Sequence, residues 1–229
     1  MTGFERYAIY YLPPAGPFAD FTASWLGWDV LTGEERSHPK LPNLPRPVSE
    51  ITATPRKYGF HGTLKPPFRL AEGAEAIGLR KTAETFAKRH KPLRTAGLRL
   101  KRIGRFLALC PPQSEDLTAL AAGIVRDFDT FRAPTTEQDL IRRRKSGLNA
   151  AQEANLARWG YPYVMDEFRF HLTLTGQLTD RDADVTVAAV EPLVAPFLAD
   201  EFEVNDICLV GSGADGCFRL IERFALGMN

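Results

Sequence analysis

The sequence is poor in cysteine and has no long apolar run. Its three cysteines, Cys110, Cys208 and Cys217, are an odd number without a Cys-x-x-Cys spacing, and no apolar stretch follows a basic N-terminus as in a signal peptide. The apolar runs fall well short of the roughly 18 to 20 residues that span a bilayer. We therefore expect a reduced, cytoplasmic protein with no membrane partner.

An excess of charge of one sign is missing as well. The chain has 29 Lys and Arg against 28 Asp and Glu, a net charge of +1, so no global field concentrates a polyanion around it. Any phosphate or nucleic-acid chemistry must be local, and DNA is not an expected partner. With 229 residues, 44% hydrophobic and 25% charged, the composition is that of a folded protein, which excludes disorder and a collagen-like repeat.

The order of the predicted elements repeats once along the chain, which predicts one bilobal domain of class α+β with two related lobes, residues 1–112 and 113–229. Each lobe is expected to hold antiparallel strands with helices outside, around a central cleft. The first half predicts strands over 6–12, 57–65, 93–103 and 105–110, helices over 18–28 and 72–90, and a proline-rich loop over 29–55. The second predicts helices from Ser114 and over 137–158 and 181–197, with strands over 168–178, 203–210 and 218–225.

One short motif occurs in both halves. Phe60-His61-Gly62-Thr63-Leu64 and Phe170-His171-Leu172-Thr173-Leu174 are identical at four of five positions. A single His-x-Thr on a strand is usually a half-exposed polar position without a role. Two matched copies favour a functional interpretation.

Side chains alternate between the two faces of a strand, so each copy predicts an apolar face toward the core and a polar row toward the cleft. Two imidazoles on opposite sides of a scissile bond can act as general base and general acid, and threonine hydroxyls can donate to a charged oxygen. Hydrolysis of a cyclic phosphodiester fits this arrangement and demands no metal. The predicted polar rows are His61, Thr63 and Lys65 on the first strand and Arg169, His171, Thr173 and Thr175 on the second.

With its two His-x-Thr strands, the chain resembles the two-histidine (2H), or LigT-like, phosphoesterase superfamily over nearly its whole length. The resemblance implies a bilobal α+β fold and a cyclic phosphodiesterase that opens its substrate to a phosphomonoester without a metal or another cofactor. His61 and His171 would be its acid–base pair, and Thr63 and Thr173 would donate to the phosphate.

The sequence around the two motifs resembles one branch of that superfamily, which is associated with phosphonate metabolism through carbon–phosphorus lyase. The resemblance rests on Tyr58 to Phe68 before and within the first motif strand and on Trp159 to Tyr163 ahead of the second. The branch implies a small substrate such as a 5-phosphoribosyl 1,2-cyclic phosphate.

Further substrate-binding candidates are Lys65, as a point charge on the first strand, Arg169 beside His171, and the rings of Tyr58 and Tyr161 near the two motifs. The rings either stack on a base or pack against neighbours. Zinc usually takes three or four ligands, and each motif supplies one nitrogen, so no metal site is expected. The basic run 142–145 is more typical of a solvated helix face than of a phosphate clamp.

Two alternatives to the sugar cyclic phosphate remain open at this point. An RNA end with a 2′,3′-cyclic phosphate has the same reacting group, and a noncatalytic RNA or nucleotide binder would use the same cleft without turnover. We expect a monomer in each case. The residue pattern leaves open which histidine is the acid and which bond of the cyclic phosphate breaks.

Overall fold

Residues 3–227 are described by the computed structural model, and their centre is a seven-stranded sheet that is antiparallel throughout. In chain order the strands are β1 (Arg6–Tyr11), β2 (Trp28–Asp29), β3 (Glu34–Glu35), β4 (Gly62–Phe68), β5 (Leu93–Ala96), β6 (Arg99–Ile103), β7 (Phe106–Cys110), β8 (Leu172–Thr173), β9 (Glu201–Val204), β10 (Asp206–Ser212) and β11 (Phe218–Ala225). Across the large sheet the order is β11, β10, β1, β4, β8, β7, β6, while β2 pairs with β3 and β5 with β9. With the helices, this confirms the predicted α+β class.

The helices start and stop at residues that suit helix ends. Ser114 precedes a helix and its Oγ accepts from the Leu117 N–H, and Asn149 forms a reciprocal cap with Gln152. The helices are α1 (Pro17–Leu26), α2 (Val48–Ile51), α3 (Ala53–Arg56), α4 (Ala76–Arg89), α5 (Glu115–Asp127), α6 (Glu137–Arg144), α7 (Ala150–Trp159) and α8 (Asp180–Val194).

The sheet separates two apolar clusters, as the alternation along β1 shows. Ile9 belongs to the large core that β1 shares with α1, α4, α5 and α8. Tyr10, its neighbour, belongs to a smaller cluster on the other face, together with Trp28 and Phe218. The candidate site lies on the Tyr10 face, so the large core supports the site from behind.

Strands of the two sequence halves are exchanged within the sheet. β1 and β4 from the first half pair with each other, and β1 also pairs with β10 from the second half. β8 from the second half pairs with β7 from the first. The two groups, β11-β10-β1-β4 and β8-β7-β6, join where β4 meets β8. Each of these strands begins directly after a motif histidine and contains the motif threonine, so the two His-x-Thr motifs meet at the middle of the sheet.

The first motif strand is shifted relative to the prediction of a strand over 57–65. β4 begins at Gly62 and continues through Pro66 and Pro67, which were expected to end it. Because β8 pairs with β4 only at Gly62, the prolines lie where that side of β4 is an open edge and their missing N–H groups are not needed. The second motif strand is also shorter than predicted, since only Leu172–Thr173 form a strand.

The helix predicted over 137–158 is two helices, and the loop predicted over 29–55 contains short elements. Gly147 has φ +70° between α6 and α7, a conformation that suits glycine, and Asn149 then starts a new helix as its cap. β2, β3, α2 and α3 lie in or at the edges of the proline-rich segment. In residues 3–227 no helix is both long and apolar enough to span a membrane.

Candidate active site

The two motifs are neighbours in one sheet, joined at Gly62 and Leu172, which are direct partners across β4 and β8. In an antiparallel register, the next positions place Thr173 opposite His61 and His171 opposite Thr63. Opposite residues point to the same face, and diagonal neighbours have a typical separation of about 7–8 Å. The histidines are therefore diagonal to each other, and each stands across from the other motif's threonine.

Both imidazoles are held in the same way by the backbone. Nδ1 of His61 lies 2.9 Å from the Gly59 carbonyl oxygen, and Nδ1 of His171 lies 2.8 Å from the Arg169 carbonyl oxygen. A carbonyl only accepts, so in each neutral ring Nδ1 carries the proton and donates it two residues back. Nε2 is thereby left as the basic nitrogen of both rings, which is what a general base requires.

His61 is the more deeply set of the two histidines. Its ring stacks on Tyr10 with 3.9 Å between centroids, and burial lowers the pKa of His61 to about 4. Burial also lowers the pKa of His171 below its ordinary value, while the bond to the Arg169 carbonyl opposes that shift. Both rings are consequently neutral in the free protein near neutral pH.

The motif threonines stand beside the imidazoles. Thr63 Oγ1 lies 3.1 Å from His61 Nε2, so its hydroxyl donates to the basic nitrogen in the neutral ring. Thr173 pairs with Ala108 across β8 and β7 and, like Thr63, lines the cavity. The expected grouping of the two threonines with His61 is therefore present.

A cavity of about 670 Å³ opens over this part of the sheet, which is within the size range of pockets that enclose a small organic ligand. His61 lines it directly. His171 is not one of its lining side chains, but its ring lies 5.7 Å from that of Phe106, which is. His171 thus stands beside the cavity rather than in its wall.

Positive charge is concentrated on the cavity wall although the whole chain is nearly neutral. The lining contains six cationic side chains and one carboxylate, Asp139. Asp139 is bound by Arg142 at 2.6 Å and by Arg69 at 3.6 Å. The six cations are Arg6, Lys57, Arg69, Arg132, Arg142 and Arg143. A cavity of this charge favours an anionic ligand.

Of the four further candidates, the structure brings Tyr58 and Tyr161 to the cavity. The Tyr58 ring lies 5.9 Å from His61 and is stacked on Phe218 at 5.5 Å. Arg169 is exposed and its guanidinium donates to the carbonyls of Asp166 and Phe168, so it is turned onto its own loop and away from the cavity lining.

Lys65 lies on the opposite face from the one that strand parity predicted. Thr63 pairs with Tyr10 but Lys65 pairs with Ile9, so a bulge in β4 adds one residue between them. Partners across a ladder share a face, and Ile9 faces the large core. The Lys65 side chain is 2% exposed, with Nζ 3.1 Å from the Val125 carbonyl and 3.4 Å from Asp129. The prediction that it lies beside His61 is wrong because the bulge reverses the alternation.

Arg6 and Arg132 were missed by the sequence interpretation, and the basic run was undervalued. Arg142 and Arg143 from that run line the cavity, whereas Arg144 is turned away to Glu153. Arg132 follows a short 3₁₀ turn and is fixed by Asp129 at 2.7 Å. An isolated arginine in a loop or at a strand end carries no sequence signal of its own, so only the fold assembles these cations.

In residues 3–227 no three His, Cys, Asp or Glu side chains gather as a metal site.

A family model described as "Protein of unknown function (DUF1045)" matches residues 63–219. This chain belongs to the DUF1045 family. The family match includes Thr63, His171 and Thr173 and begins two residues after His61.

Two curated relatives share the name ribose 1,5-bisphosphate phosphokinase PhnN. The protein of Janthinobacterium sp. (strain Marseille) is 43% identical over 183 residues, which are 79% of this DUF1045 chain and 40% of that protein. The protein of Laribacter hongkongensis (strain HLHK9) is 34% identical over 181 residues, 77% of this chain and 41% of that protein. The chain thus spans about two fifths of the length of these relatives.

Similar solved structures cover nearly the full chain. TT0787 of Thermus thermophilus is 16% identical with a TM-score of 0.45, over 97% of this chain and 98% of that one. E. coli LigT complexed with 3′-AMP is 14% identical with a TM-score of 0.41, over 97% and 98%. Usb1 of Kluyveromyces marxianus is 11% identical with a TM-score of 0.41, over 97% and 98%.

Proposed function

We propose that this chain is a cyclic phosphodiesterase that opens a small sugar cyclic phosphate to a phosphomonoester. The observation that carries the proposal is the pair of His-x-Thr motifs on adjacent strands, each imidazole donating from Nδ1 to a backbone carbonyl and keeping Nε2 as its base. The cationic cavity beside them suits the charge of the substrate.

In the proposed reaction, water attacks the phosphorus of the cyclic phosphate. Nε2 of one neutral histidine takes a proton from the water as the new P–O bond forms. The other histidine, protonated at Nε2, gives its proton to the sugar oxygen as the old P–O bond breaks, so the product is an open monoester. When the substrate binds, the Thr63 hydroxyl turns from His61 Nε2 to a nonbridging oxygen, and the Thr173 hydroxyl donates there as well, where negative charge grows in the transition state.

The ribose 1,5-bisphosphate in the relatives' names supports one particular cyclic phosphate as the substrate of this chain. If the 1,2-cyclic phosphate of a 5-phosphoribosyl compound opens at the oxygen on carbon 2, the phosphate stays on carbon 1. The product is then ribose 1,5-bisphosphate, the compound in the relatives' names. We infer that this chain supplies that compound, as an enzyme of phosphonate breakdown in the branch that its motifs resemble.

We infer that the kinase activity in the relatives' name belongs to another part of those proteins. A P-loop, G-x-x-x-x-G-K-[ST], cradles the phosphates of the nucleotide in many kinases and ATPases. The 229 residues of this chain contain no Gly-Lys pair and therefore no such loop. The chain covers two fifths of each relative, which leaves ample length for a separate kinase domain.

A nucleoside 2′,3′-cyclic phosphate at an RNA end is the second candidate substrate. The observation that favours it is the presence of two tyrosine rings, Tyr58 and Tyr161, in the cavity lining, because aromatic rings stack on bases. Binding of RNA or nucleotides without turnover is the outcome if neither cyclic phosphate is opened.

Phosphorus NMR of the purified protein in EDTA tests the proposal. We expect 5-phosphoribosyl 1,2-cyclic phosphate to be converted to ribose 1,5-bisphosphate, with no 2,5-isomer, and His61→Ala protein to convert it about 10²–10⁴-fold more slowly. Opening of a nucleoside 2′,3′-cyclic phosphate instead would favour the RNA-end substrate. No conversion of either compound would refute the enzyme. Activity that EDTA removes and added metal restores would refute the metal-independent mechanism.

A further inference from the structure

Arg143 is an incompletely paired cation in the cavity wall. Its guanidinium carbon lies 4.3 Å from the centroid of the Tyr161 ring, and the side chain is half-buried. Its Nε is buried and has no hydrogen-bond partner among residues 3–227. No carboxylate of the described chain forms an ion pair with it. A buried donor without an acceptor costs free energy, which an arriving anion would recover.

Two other cavity cations rest on aromatic rings in the same way. The Arg6 guanidinium lies 5.6 Å from the Phe218 ring, and Lys57 Nζ lies 5.1 Å from the Tyr58 ring. Neither forms an ion pair within the part of the chain that the structure describes. Rings hold these cations in place without neutralising them, so the charge remains available to a ligand.

Arg143 is placed to serve a different group from the one that reacts. The motif threonines, which the proposed function places at the reacting phosphate, come from the sheet, whereas Arg143 comes from α6, outside the sheet. Its partner Tyr161 follows α7. The cavity of about 670 Å³ has room for a ligand with more than one phosphate group. Burial lowers the pKa of Arg143, while the nearby Tyr161 and Asp139 oppose that shift without reversing it.

We propose that Arg143, stacked on Tyr161, binds a second anionic group of the substrate, a phosphomonoester separate from the cyclic phosphate. This inference rests on the proposed function, since it assigns the 5-phosphate of the substrate proposed there to one side chain. The cyclic phosphate lies at the two motifs, and the second phosphate lies against the wall formed by α6 and the loop after α7.

The test compares two substrates that differ only in the remote phosphate, ribosyl 1,2-cyclic phosphate with and without a 5-phosphate. In the unmodified protein kcat/KM is expected to be higher with the 5-phosphate. Arg143→Met should reduce the ratio of the two kcat/KM values by roughly 10- to 100-fold, the effect of losing a charged hydrogen bond. Arg144→Met is the matched control, because Arg144 lies on the same helix but bonds Glu153 outside the cavity.

A binding measurement separates failure of the subsite from failure of the enzyme. Calorimetry with ribose 5-phosphate, in a His61→Ala background, should show affinity that Arg143→Met weakens by at least 10-fold and Arg144→Met leaves unchanged. Equal loss of kcat/KM for both substrates would assign Arg143 to the reacting phosphate and overturn the proposal. Absence of ribose 5-phosphate binding would also overturn it. If neither cyclic compound is opened, the proposed function fails and the calorimetry alone decides the subsite.

Discussion

His61 lies flat against Tyr10, with 3.9 Å between ring centroids and 27° between ring planes. Tyr10 is completely buried and belongs to the cluster on the cavity face of the sheet. The Tyr10 ring shields one face of the imidazole from water, and the Gly59 carbonyl accepts a hydrogen bond from Nδ1. These two contacts fix the orientation of a neutral histidine and the position of its Nε2.

The pH profile of kcat/KM should be bell-shaped with an optimum at acidic pH. For the free enzyme, one histidine must be neutral and the other protonated. The pKa of His61 is about 4 and that of His171 is lowered below 6.5. The correct pair of protonation states is most populated between these values, so we expect the optimum between pH 4 and 6.5. Initial rates from pH 3.5 to 9 test this, and an optimum above pH 7 would contradict it.

Stability should fall on acidification because of His61. Its pKa is about 4 in the folded protein against an ordinary 6.5, so between these pH values the unfolded chain binds a proton that the folded chain does not. The free energy of unfolding therefore decreases as pH falls from 6.5 to 4, by up to about 3 kcal/mol from this group. Urea unfolding at pH 7 and pH 4 measures the change, and His61→Gln should reduce it.

Removing either motif histidine should abolish most of the turnover and leave the fold intact. General acid–base catalysis contributes about 10²–10⁴-fold, so we expect His61→Ala and His171→Ala each to lower kcat by that order. His90→Gln is the control, because His90 stacks on Phe86 at the end of α4 and is not part of the cavity lining. Circular dichroism should show all three variants folded. Full activity in either alanine variant would exclude the two-histidine mechanism.

The motif threonines should matter in the transition state more than in binding. Thr63→Val and Thr173→Val keep the shape but remove the hydroxyl, and we expect kcat to fall by about 10²-fold for each with KM little changed. Thr63→Ser and Thr173→Ser keep the donor and should recover most of the loss. A rise in KM alone would indicate that the hydroxyls only bind the ground state.

Gly62→Ala should disrupt the contact between the two motif strands. A Cβ at Gly62 would overlap the ring of Phe170, which is itself packed against Tyr11 and Phe202 and has little room to move. We expect a loss of about 1–3 kcal/mol in stability and lower activity. Gly123→Ala in α5 is the matched control, since its Cβ meets Phe86 at an ordinary 3.4 Å and alanine favours helix by about 1 kcal/mol. Equal stability of the two variants would contradict the packing argument.

Much of the local structure could be predicted because it depends on neighbours in sequence. The strand at Arg6–Tyr11 and the helix that starts after Ser114 follow from alternation, apolar spacing and a cap. The helix predicted over 137–158 was wrong in its continuity, because a left-handed glycine and a capping asparagine interrupt it. Such interruptions depend on single residues, so a prediction from apolar periodicity alone misses them.

By itself, the sequence determined that two His-x-Thr units exist and that strand geometry places each histidine and threonine on one face. The tertiary structure decided the rest. A bulge in β4, created by pairing with β1, turned Lys65 from the cavity into the core. The exchange of strands between the halves brought the motifs together at Gly62 and Leu172. Arg6, Arg132 and Arg143 come from three separate segments, and only the folded chain brings them to one cavity wall. The electrostatic potential at a site depends on distances in space and not on separation along the sequence.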